Sequence, residues 1–435
     1  MAENLSSRQD LATIKYPGGK IDLDIVHASV GNDGIELGQL LSKTGYTMFD
    51  SGFTNTASTR SAITYIDGDA GILRYRGIPI EQLAENSNFI EVSYLLIYGE
   101  IPTIEQLNNF TSSIKKHTLI HEDLKLLFES FPRNAHPMSV LSSIVNSFSA
   151  YYSDSIDPLD IKQVELSTIR LLAKLPTIAA YIYKKSKGQP FLYPDNSLSL
   201  IENFLRMTFG LPSEEYEVNI EILRSLDMLL ILHADHEQNC STSTVRLVGS
   251  SQANLFSSIS SGINALWGPL HGGANQAVLE MLEKIRSGDD DIQTFVKKVK
   301  NRDEGIKLMG FGHRVYKNYD PRARIIKNQV DKILDSIGGD DELIYIAKQL
   351  EEIALTDDFF IERKLYPNID YYTGVIYRAM GFPTQMFTVL FALGRLPGWI
   401  AHWREMHSEP SKIGRPRQIY VGYTERNYIE NKKIT

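Results

Sequence analysis

Glu221-Ile-Leu-Arg-Ser-Leu-Asp-Met-Leu-Leu-Ile-Leu-His-Ala-Asp-His236 is the stretch that sets the fold class. Its apolar residues recur at three- and four-residue spacing. Leu, Ile and Met fill most of the circumference, the mark of a helix buried on most sides. The same spacing extends outward in both directions. Upstream it runs through Phe89–Tyr98, Leu124–Phe131, Val140–Tyr151 and Val164–Lys185, where Pro176 should kink or break the helix. Downstream it marks Asp341–Leu355 and Thr384–Glu405. The start of the chain reads differently. Ser61-Ala-Ile-Thr-Tyr-Ile66 and Ile72-Leu-Arg-Tyr-Arg-Gly77 flank the glycine-bearing turn Asp67–Gly71, a hairpin signature. Residues 20–50 carry similar short pieces. The class is therefore mainly α, with a short β-rich N-terminal region.

A chain of 435 residues has room for two domains. With 43% hydrophobic and 23% charged residues its composition is that of a soluble globular protein. A net charge of −8 argues against a nucleic-acid partner. It leaves anionic substrates open, because local arginine clusters override the global balance. Cys240 is the single cysteine, so no internal disulfide can form and a reducing, cytoplasmic setting is expected. Met1–Lys20 lacks the apolar core of a secretory signal, and runs such as Met228–Leu232 are too short to span a bilayer. No membrane association is expected.

Histidines and arginines mark the candidate chemistry. His233 and His236, three apart on the expected helix, would share a face. Such a pair can hold zinc. The spacing is not that of His-Glu-x-x-His and no third ligand follows, so no metal is expected. In Trp267-Gly-Pro-Leu-His271-Gly-Gly-Ala-Asn275 the glycines permit close approach to His271. They also leave amides free at the start of a helix over Ala274–Ile285, where an anion or a polarised oxygen is favoured. Met309-Gly-Phe-Gly-His313-Arg-Val-Tyr-Lys317 repeats the order glycine, histidine, cations, and matches neither dinucleotide nor P-loop spacing. Leu365-Tyr-Pro-Asn-Ile-Asp370-Tyr-Tyr-Thr-Gly374 sets one carboxylate among aromatic and apolar residues. That setting raises its pKa as a general base requires, and a helix N-cap role is equally open to it. Arg395 on the apolar stretch Phe387–Trp403 is costly unless an anion pairs with it. Arg415, in the loop Arg415-Pro-Arg417, and Arg322 complete three candidate clamps for carboxylates.

Taken together and in order, Leu232–Thr244, Leu266–Asn275, Met309–Arg322, Tyr366–Gly374, Gly394–His407 and Arg415–Gly422 resemble the motifs of citrate synthases. The resemblance covers most of the chain and points to the longer bacterial (type II) branch, whose members are often hexamers. It implies an acyltransferase that condenses acetyl-CoA with oxaloacetate and hydrolyses citryl-CoA to citrate and CoA, the first step of the tricarboxylic acid cycle. No metal or redox cofactor is implied. His271 would hold the acetyl-CoA carbonyl oxygen as the enol forms. His313 would polarise and protonate the oxaloacetate ketone, and Asp370 would take the methyl proton. His236, Arg322, Phe391, Arg395 and Arg415 would bind oxaloacetate and citrate. Arg415 is expected from the neighbouring subunit, making a homodimer the minimal active unit.

The resemblance further implies a large helical domain (61–273 and 381–435) and a small helical domain (274–380), after a β-rich region over 1–60. The small domain would close over the substrates. His117, Tyr152, Arg170 and Lys174 resemble an allosteric NADH site of some bacterial members. A 2-methylcitrate synthase acting on propionyl-CoA would use the same machinery and is the alternative function.

Overall fold

The computed structural model describes residues 10–288, 291–302, 305–313, 315–337, 342–410 and 412–426. Contacts divide the chain into a small unit, drawn from Met1–Arg60 and Ile413–Thr435, and a large unit, Ser61–Lys412.

In the small unit, β1 (Leu11–Tyr16) and β2 (Gly19–Val26) form an antiparallel hairpin with Leu11 opposite Asp24. β3 (Gly34–Ile35) pairs antiparallel with β2. Ile21 and Leu23 are buried and alternate with exposed Asp22 and Asp24, the two-residue period of a half-buried strand. With Leu40 of α1 (Leu40–Thr44) they form a small core of their own.

The large unit opens with the antiparallel strands β4 (Thr64–Asp67), β5 (Ile72–Tyr75) and β6 (Ile78–Pro79). The expected hairpin is present, with Thr64 opposite Tyr75. Helices follow: α2 (Ile80–Asn86), α3 (Phe89–Tyr98), α4 (Ile104–Lys115), α5 (Leu124–Ser130), α6 (Pro137–Tyr151), α7 (Ile161–Lys187), α8 (Leu200–Phe209), α9 (Ile220–His233), α10 (Cys240–Gly249) and α11 (Leu255–Trp267). After these come α12 (Ala274–Arg286), α13 (Ile292–Asn301), α14 (Pro321–Ile337), α15 (Glu342–Thr356), α16 (Asp358–Glu362), α17 (Ile369–Ala379) and α18 (Phe387–Ser408). No helix among the described residues is long and apolar enough to cross a membrane.

The core is organised around α18, which packs against α3, α7, α9, α10 and α11. Nearly every residue from Phe387 to Trp403 is buried. Each fully buried Leu- or Phe-sized side chain contributes about 1.5–3 kcal/mol, which outweighs the ~3 kcal/mol cost of a proline inside the helix, here Pro397. The same balance explains α7. It runs unbroken through Pro176, where a kink or a break was expected, because Leu171 through Ile182 are buried on all sides. Trp399 and Trp403 each donate Nε1–H over 3.1 Å, to Ser241 Oγ and Ser258 Oγ respectively.

The end of α9 departs from the sequence reading in a way that matters for function. The helix stops at His233, so His236 lies in the loop to α10 and the two histidines do not share a helical face. Three interactions stop it. Gly398 donates its N–H to Ala234 O over 3.1 Å, and the Asp235 carboxylate takes the amide of Glu237 over 3.1 Å. Asn239 then caps α10 by accepting the amide of Thr242. Glu237 is held left-handed at φ +52°. Only glycine fits at 398: a Cβ there would stand 2.3 Å from Ala234 O.

Candidate active site

Five segments of the large unit deliver the candidate residues. His236 comes from the α9–α10 loop and His271 from the turn between α11 and α12. That turn is tight. The amide of Gly272 reaches Leu266 O at 3.0 Å, and a Cβ on Gly272 would lie 2.3 Å from the same oxygen. His313 lies in the loop before α14, and Arg322 in the first turn of α14. Asp370 is the second residue of α17. The cap of that helix is Asn368, whose side chain accepts the amide of Asp370, so the capping role left open for Asp370 belongs to its neighbour. Phe391 and Arg395 are one turn apart on α18.

These side chains converge. The rings of His236 and His313 are 5.3 Å apart, and Tyr316 packs against both. Phe391 touches His233 and lies 6.5 Å from His271, while the Arg395 guanidinium sits 4.9 Å from its ring. The His313 loop and the start of α17 are zipped together by the amide of Gly312 on Tyr366 O (2.7 Å) and of Asn368 on Gly310 O (2.9 Å). Arg314, in the His313 motif, lies outside the described residues.

The hydrogen bonds fix where the histidine protons are. His271 Nε2 accepts the amide of Ser241 over 3.2 Å, with the Ser241 hydroxyl 2.8 Å away. That nitrogen is therefore bare and Nδ1 carries the proton. Ser241 is in the first turn of α10, so the positive end of that helix also disfavours an imidazolium. His313 shows the mirror arrangement. Its Nδ1 accepts the amides of Val315 (3.0 Å) and Tyr316 (3.2 Å), which leaves the proton on Nε2. Burial pushes both histidines down to about 4, helped by Arg395 at His271 and by Arg322 at His313. Burial, with Arg322, also holds His236 well below its ordinary range. All three are neutral near pH 7. Burial pushes Asp370 the other way, up to about 6, with Arg322 partly opposing the rise.

The two arginines differ. Arg322 is held by Asp320, which accepts its Nε and Nη2 at 3.0 Å each and lifts its pKa above the usual value against the effect of burial. Arg395 is buried, donates Nε–H to His233 O over 2.7 Å, and has been pushed down to about 10 by burial. Among the described residues its Nη1 has no hydrogen-bond partner, and neither has His236 Nε2. A buried cation and a neutral imidazole with unspent nitrogens make a receptor for a small carboxylate. Arg415 belongs to the small unit, where it is exposed.

The site thus gathers a buried carboxylate of raised pKa, neutral imidazoles and a buried guanidinium with an unspent nitrogen. The family model for the citrate synthase C-terminal domain matches residues 52–417. The chain belongs to the citrate synthase family. It is 75% identical over 426 residues to citrate synthase 1 of Mycobacterium tuberculosis, covering 98% of this chain and 99% of that one. Among solved structures, citrate synthase from Pyrobaculum aerophilum superimposes with a TM-score of 0.80 at 34% identity, covering 98% of each chain. Citrate synthase from Thermoplasma acidophilum, in ternary complex with carboxymethyl coenzyme A and oxaloacetate, gives 0.79 at 30%, covering 88% of this chain and 98% of that one. The sequence reading and the fold thus agree on a mainly helical citrate synthase architecture.

Several groups that shape the site had escaped the sequence reading. Ser241 holds His271, Asp320 holds Arg322, and Asp235 holds Glu237 and His402. Asp320 stands next to Pro321-Arg322, and Ser241 opens a helix behind Asn239. Those local patterns are the signals that could have found them. His117, Tyr152, Arg170 and Lys174 do lie together. Lys174 Nζ donates to the carbonyls of His117 (2.7 Å) and Leu119 (2.5 Å), and Arg170 pairs with Asp154 at 2.5 Å. Both cations sit over the Tyr152 ring.

Proposed function

We propose that this chain condenses acetyl-CoA with oxaloacetate through His271, His313 and Asp370, and that the opposed protonation of the two histidines is what makes the reaction run in one direction of charge flow. Asp370, ionised at neutral pH yet more basic than a solvated carboxylate, takes a proton from the acetyl methyl. The C–H electron pair moves into the enol(ate), whose oxygen receives a hydrogen bond from His271 Nδ1–H. One such donor is worth about 10²–10³-fold. The nucleophilic carbon attacks the ketone carbon of oxaloacetate, and the ketone oxygen takes the proton of His313 Nε2. Water then attacks the citryl thioester carbonyl and the C–S bond breaks; of the three protons held by Asp370 and the water, one restores His313, one goes to the CoA thiolate and one leaves to solvent as the new carboxyl ionises, so that CoA and citrate depart and Asp370 is again ionised.

Arg322, Arg395, His236 and Phe391 hold the dicarboxylate, and we assign Arg415 of a neighbouring copy to the same clamp. Orientation by this clamp supplies the remainder of the acceleration. The observation that carries the reading is Asp370 raised by burial within a site that also holds two neutral imidazole donors. The ligand pair in the Thermoplasma complex supports it.

The decisive measurement is CoA release with oxaloacetate and either acetyl-CoA or propionyl-CoA. A higher kcat/KM for acetyl-CoA is expected; the reverse order would reassign the chain to 2-methylcitrate synthesis. Closure of α12–α17 over the substrates belongs to the same proposal. It requires oxaloacetate to tighten acetyl-CoA binding, and equal affinity with and without oxaloacetate would sink it.

A dimeric active unit, within a cytoplasmic hexamer, completes the reading. Exposed Phe49, Phe53, Tyr420 and Val421 in the small unit support coverage by another copy. Mixing Arg415→Leu chains with His271→Ala chains tests it. Activity should return on subunit exchange if Arg415 serves the neighbouring site, and should stay absent if it serves its own.

A further inference from the structure

Glu351 is a buried carboxylate, 3% exposed, on a helix that carries none of the residues placed in the chemistry. Three donors meet it. Tyr319 OH donates to Oε1 over 3.2 Å, Lys327 Nζ pairs with Oε2 at 2.8 Å, and Tyr372 OH donates to Oε2. Each donor comes from a different part of the catalytic frame. Tyr319 ends the loop that bears His313 and immediately precedes Asp320, the holder of Arg322. Lys327 is on α14, which carries Arg322 in its first turn. Tyr372 is two residues beyond Asp370 on α17.

We propose that Glu351 is a positioning residue for the condensation, tying the segment that holds the ketone to the helix that holds the base. The proposal rests on the roles given above to His313, Arg322 and Asp370. The two segments already meet on their inner side. Asp320 Oδ2 accepts the amide of Ile369 over 3.1 Å, and the backbone of Gly310 and Gly312 zips to Tyr366 and Asn368. Those bonds join the His313 loop to the start of α17, and α14 also packs along α17. Glu351 adds a buried polar attachment from α15 that takes donors from the His313–Arg322 segment and from α17 at once, so neither can shift without disturbing the other. Tyr371 adds to this by donating its hydroxyl to Ala347 O of α15 over 2.6 Å. The carboxylate suits the task, since one group with several lone pairs can take donors from three directions at once and charged hydrogen bonds are the stronger kind. The separation of base and electrophile is what near-attack geometry depends on.

The two halves of the tie have different readouts. Removing the hydroxyl in Tyr372→Phe frees the Asp370 side. At saturating substrates kcat is expected to fall about tenfold, for a misplacement well under the 1 Å that costs about 10²-fold, while the oxaloacetate Kd stays within about twofold. Tyr319→Phe frees the His313–Arg322 side and is expected to raise the oxaloacetate Kd several-fold. Glu351→Gln should do both, with a melting temperature close to that of the parent. Changes in melting temperature alone, with kcat and Kd unmoved in all three variants, would make Glu351 a purely structural residue and overturn the proposal. So would identical kcat and Kd effects from the two tyrosine variants. If Glu351→Gln does not fold, the two tyrosine variants decide the matter by themselves. Absence of CoA release by the parent chain would instead refute the proposed reaction.

Discussion

Ser241 donates its backbone N–H to His271 Nε2 over 3.2 Å, and this bond, made by main chain, sets which nitrogen of the histidine faces the substrate. Ser241→Ala keeps it. The variant should retain kcat within a few-fold. It should lose stability by about 1–3 kcal/mol, because the buried Trp399 Nε1 loses its acceptor. His271→Ala should lower kcat by about 10²–10³-fold or more. Steady-state kinetics with thermal melts of both variants separate the two effects.

Asp370 sets the acid limb. Burial raises its pKa to about 6, and the ionised form is the base. Activity is therefore present above that value and lost as pH falls through it. A profile of kcat against pH should bend near 6, and Asp370→Asn should abolish the bend while costing about 10²–10⁴-fold. A limb near 4 would mean that the carboxylate is solvated in the working enzyme.

Arg395 is a buried cation with an unspent nitrogen. A dianion that pairs with it stabilises the native state by linkage, about 2.7 kcal/mol at a hundredfold excess over Kd. Oxaloacetate alone should raise the melting temperature by a few degrees. Arg395→Lys, which loses the planar fork, should raise the oxaloacetate KM at least tenfold and shrink the thermal shift.

Much of this was legible in the sequence, for reasons that differ by residue. Helices such as Phe89–Tyr98 were readable to the residue because Asn88 and Gly99 punctuate a strongly periodic run. His271, His313 and Asp370 stood out because glycines and aromatics surround polar groups that would otherwise be costly to bury. The stop of α9 at His233 was not readable. It is imposed in part from a distance in sequence, by the Gly398 amide on Ala234 O, and local periodicity cannot register such a contact. At Pro176, too, tertiary burial keeps the helix continuous where a local rule allows a break.

Gly398 should tolerate no side chain. A Cβ would meet Ala234 O at 2.3 Å and Asp235 Oδ1 at 2.5 Å, so the loop carrying His236 must move. Gly398→Ala is expected to cost about 1–3 kcal/mol or more and to weaken oxaloacetate binding. A melt and an oxaloacetate titration check the two consequences together.

NADH control can be tested directly. Lys174 and Arg170 already donate to protein oxygens, and Lys174 is buried. An incoming pyrophosphate would have to displace those partners. Activity at low salt is expected to be unchanged by saturating NADH. Inhibition abolished by Lys174→Ala would show that the cluster opens to receive it.

The buried guanidinium of Arg395 also bears on how long the protein survives in a cell. Proteases act on the opened chain, and the fraction opened depends on stability. A chain whose buried guanidinium keeps an unspent nitrogen until an anion arrives is more exposed to proteolysis when that anion is scarce. Abundance of the enzyme would then follow supply of the four-carbon acid without any dedicated regulator.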